Sequence, residues 1–95
     1  MKQEHVESLI KGEEVSFRPK GNSMSPKIKS GQKVTISPGV SDITVGDAVF
    51  CKVHGNFYVH LVKAIQGERF LIGNNRGGIN GWTKQVFGKV TKVED

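Results

Sequence analysis

The side chains whose type and setting single them out for nucleophilic or metal chemistry are Ser23, the single cysteine Cys51, and the three histidines His5, His54 and His60. Ser23 lies in Gly21-Asn22-Ser23-Met24-Ser25-Pro26, a turn in which glycine gives the backbone room and a serine side chain is presented at a sharp bend. A serine in such a place also serves simply as a turn former. His60 alternates with Tyr58, Val62 and Ala64 on one face of an apolar run, the ordinary setting of a hydrogen-bonded histidine under a sheet. Cys51 shares a face with Val49 and Val53 and reads as a small buried hydrophobe. His54 falls in a tight connection and His5 on the surface of a helix. Cys51, His54 and His60 lack the spacing of a zinc site. The stretch from Gly73 to Gly81 lacks the Gly-Lys-Ser/Thr ending of a phosphate cradle. No metal and no cofactor are therefore expected. Trp82, set among glycines, suits a stacking platform for a ligand or, more commonly, a loop-closing plug at the end of a barrel.

The elements that must position these residues follow from periodicity. Val6, Leu9 and Ile10 recur at helical spacing, with Glu4 and Glu7 early, Lys11 late and Gly12 as a C-cap, which predicts a helix over 3–11. Beyond Gly12 the period becomes two. Strands are expected over 14–19, 33–37, 48–53, 57–65, 69–72 and 86–93, with His54-Gly55-Asn56 joining two of them as a hairpin. The run from Gly73 to Gly81, rich in glycine and asparagine, reads as a loop throughout. About six short strands with turns every 8–12 residues and one leading helix imply a mainly β fold, a coiled antiparallel sheet or partly open barrel.

Length and composition bound the rest. At 95 residues the chain buries only about 60–65% of its unfolded surface and has material for one core, so a single domain over 1–95 is expected. One cysteine excludes an internal disulfide and suits a reducing compartment. No apolar run approaches the roughly 20 residues of a membrane span, and the N-terminus has no signal-peptide pattern, which together predict a soluble cytoplasmic protein. The net charge is +5, and its location matters more than its size. Arg18, Lys20, Lys27, Lys29 and Lys33 lie between Val15 and Ser41 with no acid among them, and elsewhere cations and acids balance. A solvated basic face can meet a polyanion, either an acidic protein or a nucleic acid.

The order of these motifs carries more information than any one of them. Gly21-Asn22-Ser23-Met24-Ser25-Pro26 is followed by Lys27-Ile28-Lys29-Ser30-Gly31-Gln32-Lys33-Val34, then Val45-Gly46-Asp47-Ala48-Val49, then Tyr58-Val59-His60-Leu61-Val62. This order resembles the catalytic core of the type I signal peptidases and of LexA-type self-cleaving repressors, over residues 14–90. In those families a G-x-S-M-x-P turn bears the nucleophile and a G-D-x-V strand start follows. A later strand holds the base, lysine in most members and histidine in the endoplasmic-reticulum branch. The resemblance implies Ser23 as nucleophile and His60 as general base, with the Ser23 backbone N–H and the flanking Gly21, Asn22 and Met24 as the turn that receives the oxyanion. The sequence departs from the pattern in two places. Leu61 stands where the histidine branch has arginine. Gly73-Asn74-Asn75 stands where that branch has G-D-N, with an aspartate in or shortly after it. Asn74, Asn75 and Asn80 are then the candidates to orient the imidazole. An amide does not stabilise an imidazolium as a carboxylate does, which points to slow turnover or none.

Two readings follow. In one, the domain is a serine peptidase acting on a polypeptide laid as an extra strand along an open sheet edge near Gly21 to Pro26. The sequence contains no Ala-Gly dipeptide for LexA-type self-cleavage and no apolar anchor, so a free-standing form of the fold is expected. In the other, the same scaffold is an inactive binding module whose Arg18 to Lys33 surface meets an acidic protein or nucleic acid. Because the excess charge lies on the segment that carries Ser23, its field is expected to disfavour protonation of His60.

Overall fold

The computed structural model describes residues 3–19, 21 and 23–95. Helix α1 (Gln3–Ile10) turns Val6 and Leu9 inward. It ends one residue earlier than its pattern predicts, in a Schellman closure: Glu13 N–H donates to the Ser8 carbonyl and Gly12 N–H to that of Leu9, at 3.0 Å each. Gly12 takes the left-handed conformation (φ 88°) that this closure requires.

Among the described residues seven strands follow: β1 (Val15–Phe17), β2 (Lys33–Pro38), β3 (Ala48–Val53), β4 (Asn56–Gln66), β5 (Arg69–Gly73), β6 (Ile79–Thr83) and β7 (Val86–Glu94). They form one open antiparallel sheet in the order β1-β2-β7-β3-β4-β5-β6. The fold is thus mainly β with one short helix. Among the described residues no helix is long and apolar enough to cross a membrane.

β6 corrects the expectation of a loop from Gly73 to Gly81. Asn80 and Gly81 are poor strand formers, but β6 pairs with β5 from Phe70↔Thr83 to Gly73↔Ile79, and this tertiary pairing outweighs local propensity. The register skips one residue between Ile72 and Gly73, leaving Asn80 as the bulged residue. Trp82, expected as a barrel plug, is instead 40% exposed and lies under the Arg69 guanidinium, 5.4 Å from its ring.

The coiled sheet buries β3 on both faces. One core gathers Val6, Leu9, Met24, Ile28 and Phe50 beneath the helix. The other gathers Val49, Cys51, Val53, Val62 and Ile72 beneath the β5–β6 limb. Phe50 centres an aromatic cluster, with Phe17, Phe57 and Phe87 rings at 5.3, 5.7 and 5.6 Å.

Candidate active site

His60 sits on β4 opposite Val49 of β3 and is only 7% exposed. Strand alternation places it on the same face as Tyr58, and their rings stack at 4.8 Å with 27° between planes. β3 covers one edge of β4, whereas β5 pairs with the other edge only from Leu61 onward, through Leu61↔Gly73. Beside residues 57–60 that edge faces the turn that carries Ser23.

The turn is seated by its own apolar residues. Ile28 N–H donates to the Met24 carbonyl at 3.0 Å, closing a helical turn whose Met24 and Ile28 side chains enter the core. From the opposite side Asn75 holds three successive carbonyls. Its backbone N–H donates to Ser23 at 2.9 Å, and its side-chain amide donates to Ser25 at 3.2 Å and Met24 at 3.4 Å. The Ser23 hydroxyl then reaches His60, with Oγ 3.0 Å from Nε2.

The other ring nitrogen, Nδ1, lies 2.6 Å from Asn80 Oδ1. An amide oxygen can only accept, so Nδ1 carries the proton and the Nε2 lone pair faces the Ser23 hydroxyl. This is the tautomer in which an imidazole can take a proton from a serine. The β6 bulge is what turns Asn80 toward the ring. Burial holds the His60 pKa below its ordinary 6.5, with the Asn80 hydrogen bond acting in the opposite sense. The imidazole is therefore neutral at neutral pH. The sequence reading had the right direction but ascribed it to the basic segment, whereas desolvation is the cause.

Of the three asparagines singled out, Asn80 alone meets the imidazole. Asn74 Oδ1 instead accepts from the backbone N–H groups of Arg76 and Gly78, both at 2.8 Å, and Asn75 holds the serine turn. That Asn75 contact with the serine turn is one the sequence reading missed. Gly21 lies exposed in the turn, and Asn22 and Lys20 lie outside the described residues. The basic residues do not converge on the pair. Arg18 donates to the Gly31 carbonyl, Lys27 to that of Gly46 at 3.0 Å, and Lys33 pairs with Glu94 at 3.5 Å; Lys29 is exposed. Cys51 is fully buried and its thiol is pushed up to about 12 by desolvation, which makes it a packing residue. His54 is exposed in the β3–β4 turn, and His5 stacks on Phe17 at 4.9 Å.

Ser23 and His60 open onto a cleft of about 410 Å³, walled by Pro19, Met24 and Ile28 on one side and by Phe57, Tyr58 and Val59 on the other.

An open antiparallel sheet with a turn serine hydrogen-bonded to a strand imidazole at the mouth of an apolar cleft defines a domain of peptidase-like architecture. Residues 5–85 match the family described as Peptidase S24-like, and the chain belongs to that family. Among curated proteins none matches the chain.

Proposed function

We propose that this domain is a serine peptidase acting by acyl transfer, with Ser23 as nucleophile and His60 as general base. The observation that carries the reading is the 3.0 Å contact between Ser23 Oγ and His60 Nε2, with Nδ1 already engaged by Asn80. Ser23 Oγ attacks the scissile carbonyl while Nε2 takes its proton. The tetrahedral oxyanion is received at the turn, by the Ser23 backbone N–H. His60 then returns the proton to the departing amine, leaving an acyl-serine that water hydrolyses by the same relay. A neutral base at physiological pH suits this cycle.

The substrate is an extended polypeptide lying in the cleft as an added strand. β3 and β4 are joined by the two-residue turn His54-Gly55, so the flanking pair Val53↔Asn56 exchanges hydrogen bonds, as do Cys51↔Tyr58 and Val49↔His60. The N–H and C=O groups of Phe57 and Val59 then point to the opposite edge, into the cleft, where a substrate backbone can pair with them. The sequence reading sets the substrate along an open sheet edge near Gly21 to Pro26; in this proposal that edge belongs to β4. The whole chain is taken as one catalytic unit in the cytoplasm, a setting that suits the buried free thiol of Cys51. The reading of an inactive polyanion-binding module has less support, because Arg18, Lys27 and Lys33 have protein partners of their own.

A serine-directed phosphonate tests the assignment. Wild type should be labelled at one site, and Ser23→Ala and His60→Ala should both abolish labelling while keeping the folded spectrum. Equal labelling of wild type and Ser23→Ala would overturn the proposal.

A further inference from the structure

If His60 accepts the Ser23 proton, the imidazolium that forms must be stabilised by something, and the arrangement around it is unusual for a base. Among the described residues, the groups shown against the ring are the Ser23 hydroxyl from the turn, the Asn80 amide from β6 and Tyr58 from its own strand, with Val49 of β3 opposite in register. Among the described residues no carboxylate is hydrogen-bonded or ion-paired to His60. Asn80 fixes the tautomer but brings no charge. Beside the Asn80 oxygen, which favours the protonated ring as a dipole does, stands the face of Tyr58, stacked on the imidazole at 4.8 Å. An aromatic face carries negative quadrupole density and attracts a cation centred within about 6 Å, more strongly where water is excluded. Tyr58 is half-buried and lies on the cleft wall, so a bound polypeptide would remove water from its remaining exposed edge.

We propose that Tyr58 is a positioning residue that substitutes for the missing carboxylate: its ring face stabilises the His60 imidazolium formed when Ser23 transfers its proton to Nε2. This rests on the Ser23–His60 reading and deepens it. The balance is simple. One proton leaves Ser23 Oγ for His60 Nε2, and the positive charge so created is held between the Tyr58 face and the Asn80 oxygen at Nδ1. The phenol hydroxyl takes no part, so Tyr58→Phe should behave as wild type, whereas Tyr58→Leu keeps an apolar side chain but loses the π face.

The test is the titration of His60, followed by the NMR shift of its ring C–H in the intact protein, together with the rate of phosphonate labelling. Tyr58→Leu should lower the His60 pKa by about half a unit to one unit and slow labelling several-fold, and Tyr58→Phe should restore both. A graded series with phenylalanine at 58 carrying two, three and five ring fluorines drains the quadrupole at nearly constant shape. The pKa should fall stepwise along that series, a response that packing alone would not produce. A flat series, or a pKa in Tyr58→Leu equal to or above that of wild type, would overturn the proposal. The outcome stays separable from the catalytic reading: a pKa that tracks fluorination in a protein whose Ser23 is never labelled supports the stack and removes the nucleophile.

Discussion

Replacing Asn80 by aspartate puts a charge where the structure has only a dipole. Its consequence can be worked from the 2.6 Å contact between Asn80 Oδ1 and His60 Nδ1. A carboxylate on that spot has its charge centre about 4 Å from that of the imidazolium, an attraction of about 4 kcal/mol at an effective dielectric of about 20. Burial of the new carboxylate takes part of this back, leaving a rise in the His60 pKa of about 1–3 units. The acid-side loss of stability should then shrink, changing sign once the folded pKa passes the unfolded one. In wild type the folded pKa lies below 6.5, so the unfolded chain binds more protons. Stability is full above about 6.5 and is lost as the pH falls from there through the folded value. In Asn80→Asp the folded pKa moves up toward the unfolded one, so the stability lost on acidification shrinks, and where the folded value passes about 6.5 the imidazole instead contributes stability that is full below about 6.5 and is lost as the pH rises through the folded value. Urea titrations between about pH 5 and 8.5 should therefore show a smaller loss of stability on acidification in the variant than in wild type, or a loss on the alkaline side instead. The proposed acylation should change in parallel. With about half the proton transferred at the transition state, a two-unit gain gives about tenfold faster labelling above the new pKa. As the pH falls, labelling should decline at a higher pH than in wild type, because the variant's imidazole protonates sooner. Superimposable stability and rate profiles would refute the reasoning, because no tenable geometry leaves a carboxylate at that position silent.

Two further outcomes follow from the same contacts. Asn75→Ala removes the side-chain hydrogen bonds to Met24 and Ser25 while leaving Asn80 and Tyr58 in place. It should slow labelling about tenfold and cost about 1–2 kcal/mol in urea unfolding, with the NMR titration of His60 unmoved; a shifted His60 pKa would show that the turn is not its sole target. Phe50→Ala empties the centre of the aromatic cluster and should cost about 3–5 kcal/mol by the same urea measurement, and a loss under about 1 kcal/mol would mean that the cluster is not packed as described.

The sheet was largely legible in the sequence because its cues are local. The limits of β3 were read as they stand, and those of β2, β4, β5 and β7 to within a residue, since alternation and glycine punctuation are properties of neighbouring residues. β6 was not legible: Asn80 and Gly81 argue against a strand, and the strand exists only because β5 is there to pair with it. Ser23 and His60 stand out from motif order, and the i, i+2 spacing puts Tyr58 on the His60 face without marking it as a site residue. The Asn75 contacts, which span 50 and 51 residues, leave no periodic trace. The cause of the His60 shift was misread for a related reason. Charge was counted along the chain, whereas Arg18 and Lys27 spend their charged ends on carbonyls and Lys33 on Glu94.

Much of the site traces to where β5 stops. Had β5 continued past Gly73, Asn74 and Asn75 would have paired with β4 beside His60 and Val59 and closed the edge. Instead Asn74 folds the chain back, its N–H donating to the Gly78 carbonyl at 2.9 Å and its side chain accepting from Arg76 and Gly78. The reversal is tight enough to need glycine at 73, where a Cβ would stand 2.5 Å from the Gly78 oxygen. Three consequences come from this one turn. The β4 edge stays open beside the cleft, Asn75 is left free to hold the carbonyls of the serine turn, and β6 returns in a register that brings its bulged Asn80 to Nδ1 of His60. The asparagine at 74, which departs from the aspartate pattern of the histidine-bearing relatives, is thus committed to shaping the loop. A carboxylate placed at 74 would be spent on the Arg76 and Gly78 amides, so a charged partner for His60 has to be introduced at 80.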